Sequence, residues 1–525
     1  MKKKLISLLL VTSMTAALVA GCGGKSEEKN SSSTGEGTET ASSTEASDGE
    51  MADIKVSWMT LGPTTPAQTD AVVEAINKIT EKKINTHVEI NFYDPNTYAT
   101  QIPMMLQANE KLDLMMYTPV PGAGYESFKS QNQLQDISGL LDKYGKDVKS
   151  SLGTLLDGTT TADGIFGAAS NRNMASSLYV VMRKDTLDQL GLTDKAQNMT
   201  TWAEYEDICK QVKEKTDLAP VVNADGMGSV LAVNPYFMGG EKFADNKMFD
   251  NIGDTYNIIS TNADTGKVEC YYLTDDYKAS AQRASNWYKE GLIYKDAATS
   301  QDNGDILIKN NVGFSTIEAG ELGVAATKAA QTGHDMIATK ITDAMLTTQS
   351  TYKFGFAVPV SATEPEAAVK FLNLLYSDAD IENILAWGVE GRDWKDNGKG
   401  EATYPDGVTA DKVTYHMADF LNGNQFITMP WEGSGADFRK TQQDEQKKIE
   451  ISKYMGFSFD PAGVENELTA CNNVRQQYAP GLSSGSTNDF NATYTEFSDK
   501  LKAAGIEKVV AAYQKQLDDW LAKKK

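Results

Sequence analysis

The chain has three histidines among 525 residues, His87, His334 and His416, each isolated from the others. A zinc hydrolase needs two histidines one helical turn apart, and a nucleotide-cradling loop needs a glycine-rich run closing on Lys and Ser or Thr; neither spacing occurs. Gly481-Leu482-Ser483-Ser484-Gly485 has the Gly-x-Ser-x-Gly spacing of a serine nucleophile. That motif works as a sharp turn from strand into helix. Here Tyr478-Ala479-Pro480 precedes it and more Ser, Thr and Asn follow, so a flexible loop is expected. Asp393, Asp396, Asn397 and Glu401 carry oxygens of the kind calcium takes, but without EF-hand spacing. A solvated polar loop is expected there, and no metal or cofactor. Paired carboxylates for glycoside cleavage are defined by separation in space, and 72 acidic residues offer no choice of pair.

Aromatic residues carry more information. Trp58 and Tyr117 fall at the ends of expected parallel strands, where open α/β sheets bind ligands. Trp387, Trp394 and Trp431 lie in Gly-rich turn contexts. A flat ring packs on the apolar C–H face of a pyranose while amides and carboxylates bind its hydroxyls. Trp58, Tyr117, Trp394 and Trp431 are therefore the candidate stacking platforms. Asp94, Asn171, Glu390 and Arg392 are the candidate hydrogen-bond partners. Trp202 and Trp520 sit on amphipathic helical patterns and are expected in the core.

The N-terminus says where such a site would work. Met1-Lys2-Lys3-Lys4 and an apolar run from Leu5 to Leu18 precede Val19-Ala20-Gly21-Cys22. A charged start, a short apolar stretch and small residues make a secretory signal over residues 1–21. Val-Ala-Gly-Cys resembles a bacterial lipobox, which implies acylation of Cys22 and a lipid-anchored protein on the extracytoplasmic face of the cell membrane. Residues 22–52 read as the lipidated cysteine and a disordered tether. Gly23 to Glu50 holds no Ile, Leu, Val, Met or aromatic residue and has too little apolar surface to fold. As a flexible coil it reaches about 30 Å. Removal of Lys2, Lys3 and Lys4 takes the formal charge from −22 to −25. Such acidity opposes binding to nucleic acid or an anionic lipid surface. The three cysteines beyond Cys22 (Cys209, Cys270 and Cys471) form no complete disulfide set and no CxxC.

The elements that must position these residues follow an α/β rhythm. Ile54 to Trp58 alternates as a strand. Thr65-Pro66-Ala67-Gln68 opens a helix, and His87 to Phe92 forms the next strand. A second helix leads to the apolar run Leu112 to Tyr117. Leu178 to Met182, Asn311 to Ser315 and Phe354 to Val358 are further strand candidates. Thr201-Trp202-Ala203-Glu204 is a capping box. Asn262 to Gly266 is a hairpin turn. Ala368, Phe371, Leu372, Leu375 and Tyr376 form a buried helical stripe. Ile506 to Trp520 is a final amphipathic helix.

Several of these stretches, in order, resemble the sugar-binding extracellular solute-binding proteins of bacterial ABC importers. Leu178 to Asp185 is similar to that family's strand ending in Lys-Asp. Thr200-Thr201-Trp202-Ala203-Glu204 matches its helix start, and Tyr288-Lys289-Glu290-Gly291-Leu292-Ile293 a helix end. Glu364 to Asp378 matches its Pro-Glu-x-Ala helix. Gly388 to Trp394 resembles a "Gly-Ile-Glu-Gly-x-x-Tyr" loop of a Gram-positive lipoprotein branch. Gly456 to Trp520 resembles that branch's extra C-terminal region. The resemblance implies a two-lobed α/β fold of the periplasmic-binding type II class, with a ligand cleft between lobes. It places residues 53–172 plus about 353–400 in lobe 1 and residues 173–352 plus about 401–525 in lobe 2. The chain would cross near Asn171 to Ser177 and return near Tyr352 to Phe356. It further implies a monomeric, non-enzymatic protein that closes about a hinge on an oligosaccharide, or on a peptide or other small solute, and delivers it to an ABC permease. The competing expectations are a surface-anchored hydrolase acting through Ser483 or two carboxylates, and a lipoprotein scaffold with no small ligand.

Overall fold

A computed structural model describes residues 49–174, 176–223, 236–262 and 265–524. The signal, Cys22 and nearly all of the tether lie outside these residues, as do Ala263 and Asp264 of the hairpin turn. Flanking that turn, Ile259–Thr261 pairs antiparallel with Val268–Cys270. No helix among the described residues is long and apolar enough to cross a membrane.

Two separate sheets organise the body. The first contains β1 (Ala52–Met59), β2 (Thr86–Tyr93), β3 (Leu114–Tyr117), β4 (Ala168–Ala169) and a late strand, Gly355–Ala357. Their order is β2, β1, β3, the late strand, β4. β1 runs parallel to β2 and β3, and the late strand runs antiparallel to β3 and β4. The second sheet contains β5 (Ser177–Arg183), β6 (Ala219–Val221), β7 (Gly313–Gly320) and β8 (Met336–Thr342), ordered β8, β5, β7, β6. Each sheet has its own core. Val56, Ile76, Val88, Leu114, Phe356 and Phe371 belong to one, and Val180, Trp202, Ile208, Phe314 and Ile317 to the other. The protein is thus a two-lobed α/β molecule.

Local sequence explains the helices that cover the sheets. At α1 (Pro66–Ile84), Gln68 Oε1 accepts from the Thr65 hydroxyl at 2.8 Å and from its N–H at 3.3 Å. At α2 (Trp202–Lys215), Glu204 accepts from Thr201 N–H at 3.0 Å while Thr201 Oγ1 accepts from Glu204 N–H at 3.2 Å. These bonds, reciprocal at Thr201 and Glu204, satisfy donors that a helix start leaves open. The stripe of α3 (Pro365–Ser377) is buried as its spacing predicts, with Phe371, Leu372 and Leu375 fully enclosed.

Beyond residue 400 the expected assignment to lobe 2 needs correction. Tyr415, Met417, Leu421 and Met455 pack in the first lobe's core. Tyr454, Phe457, Leu468, Phe497, Val509 and Leu517 form a third core with Phe237, Phe249, Ile259 and Tyr271. Three helices, Glu465–Ser483, Phe490–Ala503 and Ile506–Lys524, build the C-terminal part of it. This also revises the Gly-x-Ser-x-Gly stretch. Ser483 is the buried last residue of a helix, not part of a loop, and its hydroxyl meets the Tyr277 hydroxyl at 3.3 Å. It has neither the turn nor the exposure a nucleophile needs.

Cys209, Cys270 and Cys471 are free and buried. Burial pushes each thiol up, Cys270 to about 12 and Cys471 to about 11. Only the thiolate reacts with alkylating reagents. Iodoacetamide at about pH 8 should therefore leave all three unmodified in the folded protein and label all three in denaturant. Peptide mass mapping checks this; labelling of any of them before unfolding would contradict the packing described.

Candidate functional site

The strand registers fix where the two lobes join. At one edge of the first sheet Met59 pairs with Tyr93, Tyr117 with Gly355, and Gly355 with Ala169. The chain leaves from this edge after β4 and enters the second sheet at Ser177. There Ser177 pairs with Gly320 at the end of β7, and Leu178 with Thr342 at the end of β8. It returns through Met345–Leu346 and Thr348–Tyr352 to Gly355. Both crossings thus connect the carboxyl ends of β3 in one lobe and of β7 and β8 in the other. Loops at such edges are where open α/β sheets hold ligands.

A third passage crosses at the same place. Asn171 N–H donates to Gly423 O at 2.8 Å, and Asn171 O accepts from Gln425 N–H at 2.9 Å. Gln425 Oε1 accepts from Asn173 N–H at 3.0 Å, and Gln446 Oε1 from Met174 N–H at 2.7 Å. Gln446 ends the helix Phe438–Gln446, after which Glu450–Ile451 pairs with Met345–Leu346.

Charged side chains meet at these crossings. Arg172 is 7 % exposed, its guanidinium 5.4 Å from the Phe354 ring centroid, and it donates to Asn173 O at 2.9 Å. Asn173 Nδ2 donates to Glu321 at 3.0 Å. Burial and the neighbouring Arg172 hold Lys353 below its usual value, burial lowers Arg172, and burial raises Glu321. Glu321 and Lys353 are both exposed to solvent. Asp419 is paired with Arg439 and also accepts from Gln425 Nε2 at 2.8 Å. A recess of about 420 Å³ bordered by Asn173, Leu322, Thr342 and Glu445 adjoins this floor. Larger concavities, of about 940, 720 and 990 Å³, lie elsewhere: one against edge strand β2, one along Asn491 to Ala503, and one between Tyr125, Tyr256 and Phe459. None of these includes the charged residues at the crossings.

Aromatic rings stand beside the charged floor. His416 lies 4.6 Å from Trp431 and 4.7 Å from Trp387, and Tyr404 lies 4.7 Å from Trp431, all between ring centroids. Trp431, Tyr404 and His416 are partly exposed. Backbone pairing sets the Trp431 position: Ala402 N–H donates to Pro430 O and Glu432 N–H to Ala402 O, each at 2.8 Å. A Cβ on Gly62, in the loop after β1, would stand 2.7 Å from His416 O. Only glycine lets that loop come so close. Asp419 acts on both His416 and Glu321, which joins rings and charges in one region.

The expected site residues divide. Trp431 stands in the aromatic group. Asp94 and Glu390 are exposed, but Asp94 caps the helix Pro95–Gln107 through Asn96 N–H at 3.0 Å and Thr97 N–H at 3.1 Å. Trp58 and Tyr117 are corrections: both are 0 % exposed. Trp58 packs against Phe92 and Phe356, and the Tyr117 hydroxyl donates to Thr351 O at 3.1 Å, so neither offers a face. Trp394 is 6 % exposed and donates Nε1–H to Gly388 O at 2.9 Å, filling a small core with Trp387 and Ala402. Asn171 spends its amide on Asn424 at 3.0 Å, and Arg392 is bound to buried Asp393. Trp387 ends a helix, Ala379–Trp387, rather than lying in a turn. Tyr404, His416, Arg172, Glu321, Lys353 and Asp419 are the additions. Among the described residues no three His, Cys, Asp or Glu side chains are grouped to hold a metal. Glu401 instead accepts from Gly433 and Gly435 N–H, at 3.1 and 2.7 Å.

One buried acid braces the region. Glu382 accepts from Gly423 N–H at 3.3 Å and Asn424 N–H at 3.2 Å, and burial pushes it from 4.5 up to about 8. The folded state therefore holds this proton more tightly than the unfolded state. The stability so gained is fully present below about pH 4.5 and lost as pH rises through about 8. Glutamine cannot titrate. The stability deficit of Glu382→Gln against wild type should shrink between about pH 5 and pH 8.5, by up to about 1.4 kcal/mol per pH unit. Denaturant melts across that range test it; a deficit independent of pH would contradict it.

A family model described as bacterial extracellular solute-binding protein matches residues 62–382, and one described as a domain of unknown function, DUF3502, matches residues 453–522. A carbohydrate ABC transporter substrate-binding protein of Streptococcus pneumoniae is 26 % identical over 470 residues, covering 88 % of this chain and 90 % of that protein. The crystal structure of the N-glycan transport solute binding protein NgtS, also from Streptococcus pneumoniae, superimposes with a TM-score of 0.75 at 24 % identity, covering 90 % of this chain and 100 % of that one. NgtS in complex with Man5GlcNAc gives 0.62, with 90 % and 99 % covered. An extracellular solute-binding protein from Bifidobacterium longum subsp. infantis gives 0.59 at 18 % identity, again with 90 % and 99 % covered.

Proposed function

The chain belongs to the bacterial extracellular solute-binding protein family, and from that premise we propose that it captures an oligosaccharide between its lobes and delivers it unaltered to the permease of an ABC importer. One observation carries this reading. The carboxyl edges of two independent sheets meet at three chain crossings, and partly exposed rings of Trp431, His416 and Tyr404 stand there beside charged groups. Rings that stack on sugar faces next to donors and acceptors for hydroxyls are what saccharide recognition requires. The relative that binds Man5GlcNAc supports the ligand class. Its lower superposition score with that ligand bound supports closure about a hinge. The burial of Ser483 at the end of a helix, with its hydroxyl against Tyr277, favours binding over hydrolysis.

The protein would work on the extracytoplasmic face, held by lipid on Cys22 and the polar tether. A Cys22→Ser variant should move from the membrane fraction to the medium; retention in the membrane would contradict the anchor. The ligand reading is tested by titrating Man5GlcNAc calorimetrically and recovering the sugar. Saturable binding with intact sugar is expected. Shortened sugar would favour the hydrolase. No response to any glycan would favour a scaffold.

A further inference from the structure

The cavity of about 990 Å³ between Tyr125, Tyr256 and Phe459 has rings and carboxylates on its walls. One wall belongs to the first lobe: Tyr125 and Tyr352 stack in its core, 4.6 Å apart between centroids. The other belongs to the third core, where Phe459 stacks on Tyr513 and Tyr256 packs alongside. Tyr256 and Phe459 are partly exposed. Tyr352 and Tyr513 are only 9 % and 2 % exposed. Yet neither hydroxyl is enclosed, and neither has a hydrogen-bond partner among the described residues. The carboxylates of Glu126, Asp163, Asp254, Asp460 and Glu465 border the space, against one basic residue, Lys129. The Lys129 ammonium is turned aside, 3.6 Å from the Phe166 ring centroid. Asp254 accepts from Tyr256 and Ile259 N–H, Asp460 from Ala462 N–H and Glu465 from Gly463 N–H. Glu126 has no ion pair with a described residue, and the Gln349 amide is the polar neighbour that steadies its charge. Burial raises its carboxyl, and the same charge acts on Tyr352 and Tyr513.

We propose that this cavity is a second binding site, separate from the cleft between the lobes, and that it takes a small organic ammonium ion. An ammonium is attracted both to a carboxylate and to the negative face of an aromatic ring. Glu126 would supply the counter-charge, and the rings of Tyr256 and Phe459 the faces. The open hydroxyl oxygens of Tyr352 and Tyr513 would turn their lone pairs to its positive end. A metal ion fits less well, because among the described residues no three His, Cys, Asp or Glu side chains are grouped to hold one. An anion would meet the carboxylates of both walls. A neutral sugar would leave Glu126 without a counter-charge. The net charge of −22 also draws cations to the protein at long range.

Calorimetric titration of the full chain at fixed ionic strength tests this with matched probes. Choline is compared with its uncharged isostere 3,3-dimethylbutanol, and cyclohexylammonium with cyclohexanol. In at least one pair the cation should bind one to one, about tenfold or more tightly than its neutral partner, the ratio a desolvated contact of this kind supplies. Glu126→Gln should bring the partners toward parity. Tyr256→Leu should weaken the cation about tenfold, while Tyr256→Phe, which keeps the ring, should bind it as wild type does. Melting temperatures check that each variant folds. Equal binding within both pairs, or silence from both cations, would overturn the inference. A preference that survives in both Glu126→Gln and Tyr256→Leu would overturn the assignment to this cavity. Its loss in Trp431→Ala would move the cation to the cleft and overturn that assignment too.

Discussion

Trp431→Ala should lower affinity for an N-glycan oligosaccharide about ten- to a hundredfold, the equivalent of about 1.4–2.8 kcal/mol. The ring is partly exposed and stands 5.1 Å from Trp387 and 4.6 Å from His416. Stacking there buries C–H groups that otherwise face water. Because one side already meets solvent, truncation opens no enclosed cavity, and the melting temperature should fall by only a few degrees. Trp431→Phe should recover much of the lost affinity. Calorimetric titration and thermal melts on the three proteins decide. Unchanged affinity with a large loss of stability would return Trp431 to the core.

Trp394→Ala should do the reverse, costing about 3–5 kcal/mol of folding stability. The side chain is 6 % exposed, packs with Trp387 and Ala402, and donates Nε1–H to Gly388 O at 2.9 Å. Removing it leaves a cavity and an unpaired carbonyl. Denaturant unfolding measures the cost directly. A variant that melts like wild type but no longer binds glycan would place Trp394 in the site instead.

These two tryptophans show where the sequence is readable. Features that depend on neighbours along the chain are legible: the Thr65–Gln68 and Thr201–Glu204 helix starts, and the stripe from Ala368 to Tyr376. The α/β order of strands and helices is legible too, while the two-lobed fold comes from the resemblance to a known family. Whether a ring is open or enclosed is not local. Trp58 is sealed by Phe92 and by Phe356, which arrives from a strand near the far end of the lobe's chain. Trp394 follows a Gly-containing turn and Trp431 precedes one, yet one fills a core and the other does not. Arg172, Glu321, Lys353 and Asp419 come from four separate passages, and no spacing in the sequence connects them. Asn171-Arg172-Asn173, a polar run directly after β4, was the one local hint that the crossing carries chemistry. The Gly-x-Ser-x-Gly match misleads for the opposite reason: its spacing is local, but its function depends on a strand that is not there.

The central claim is that two lobes close on an intact guest. Small-angle X-ray scattering during titration with Man5GlcNAc tests it most directly. The account predicts a saturable decrease in radius of gyration that follows the binding isotherm. A radius that stays unchanged while the sugar saturates the protein would contradict it.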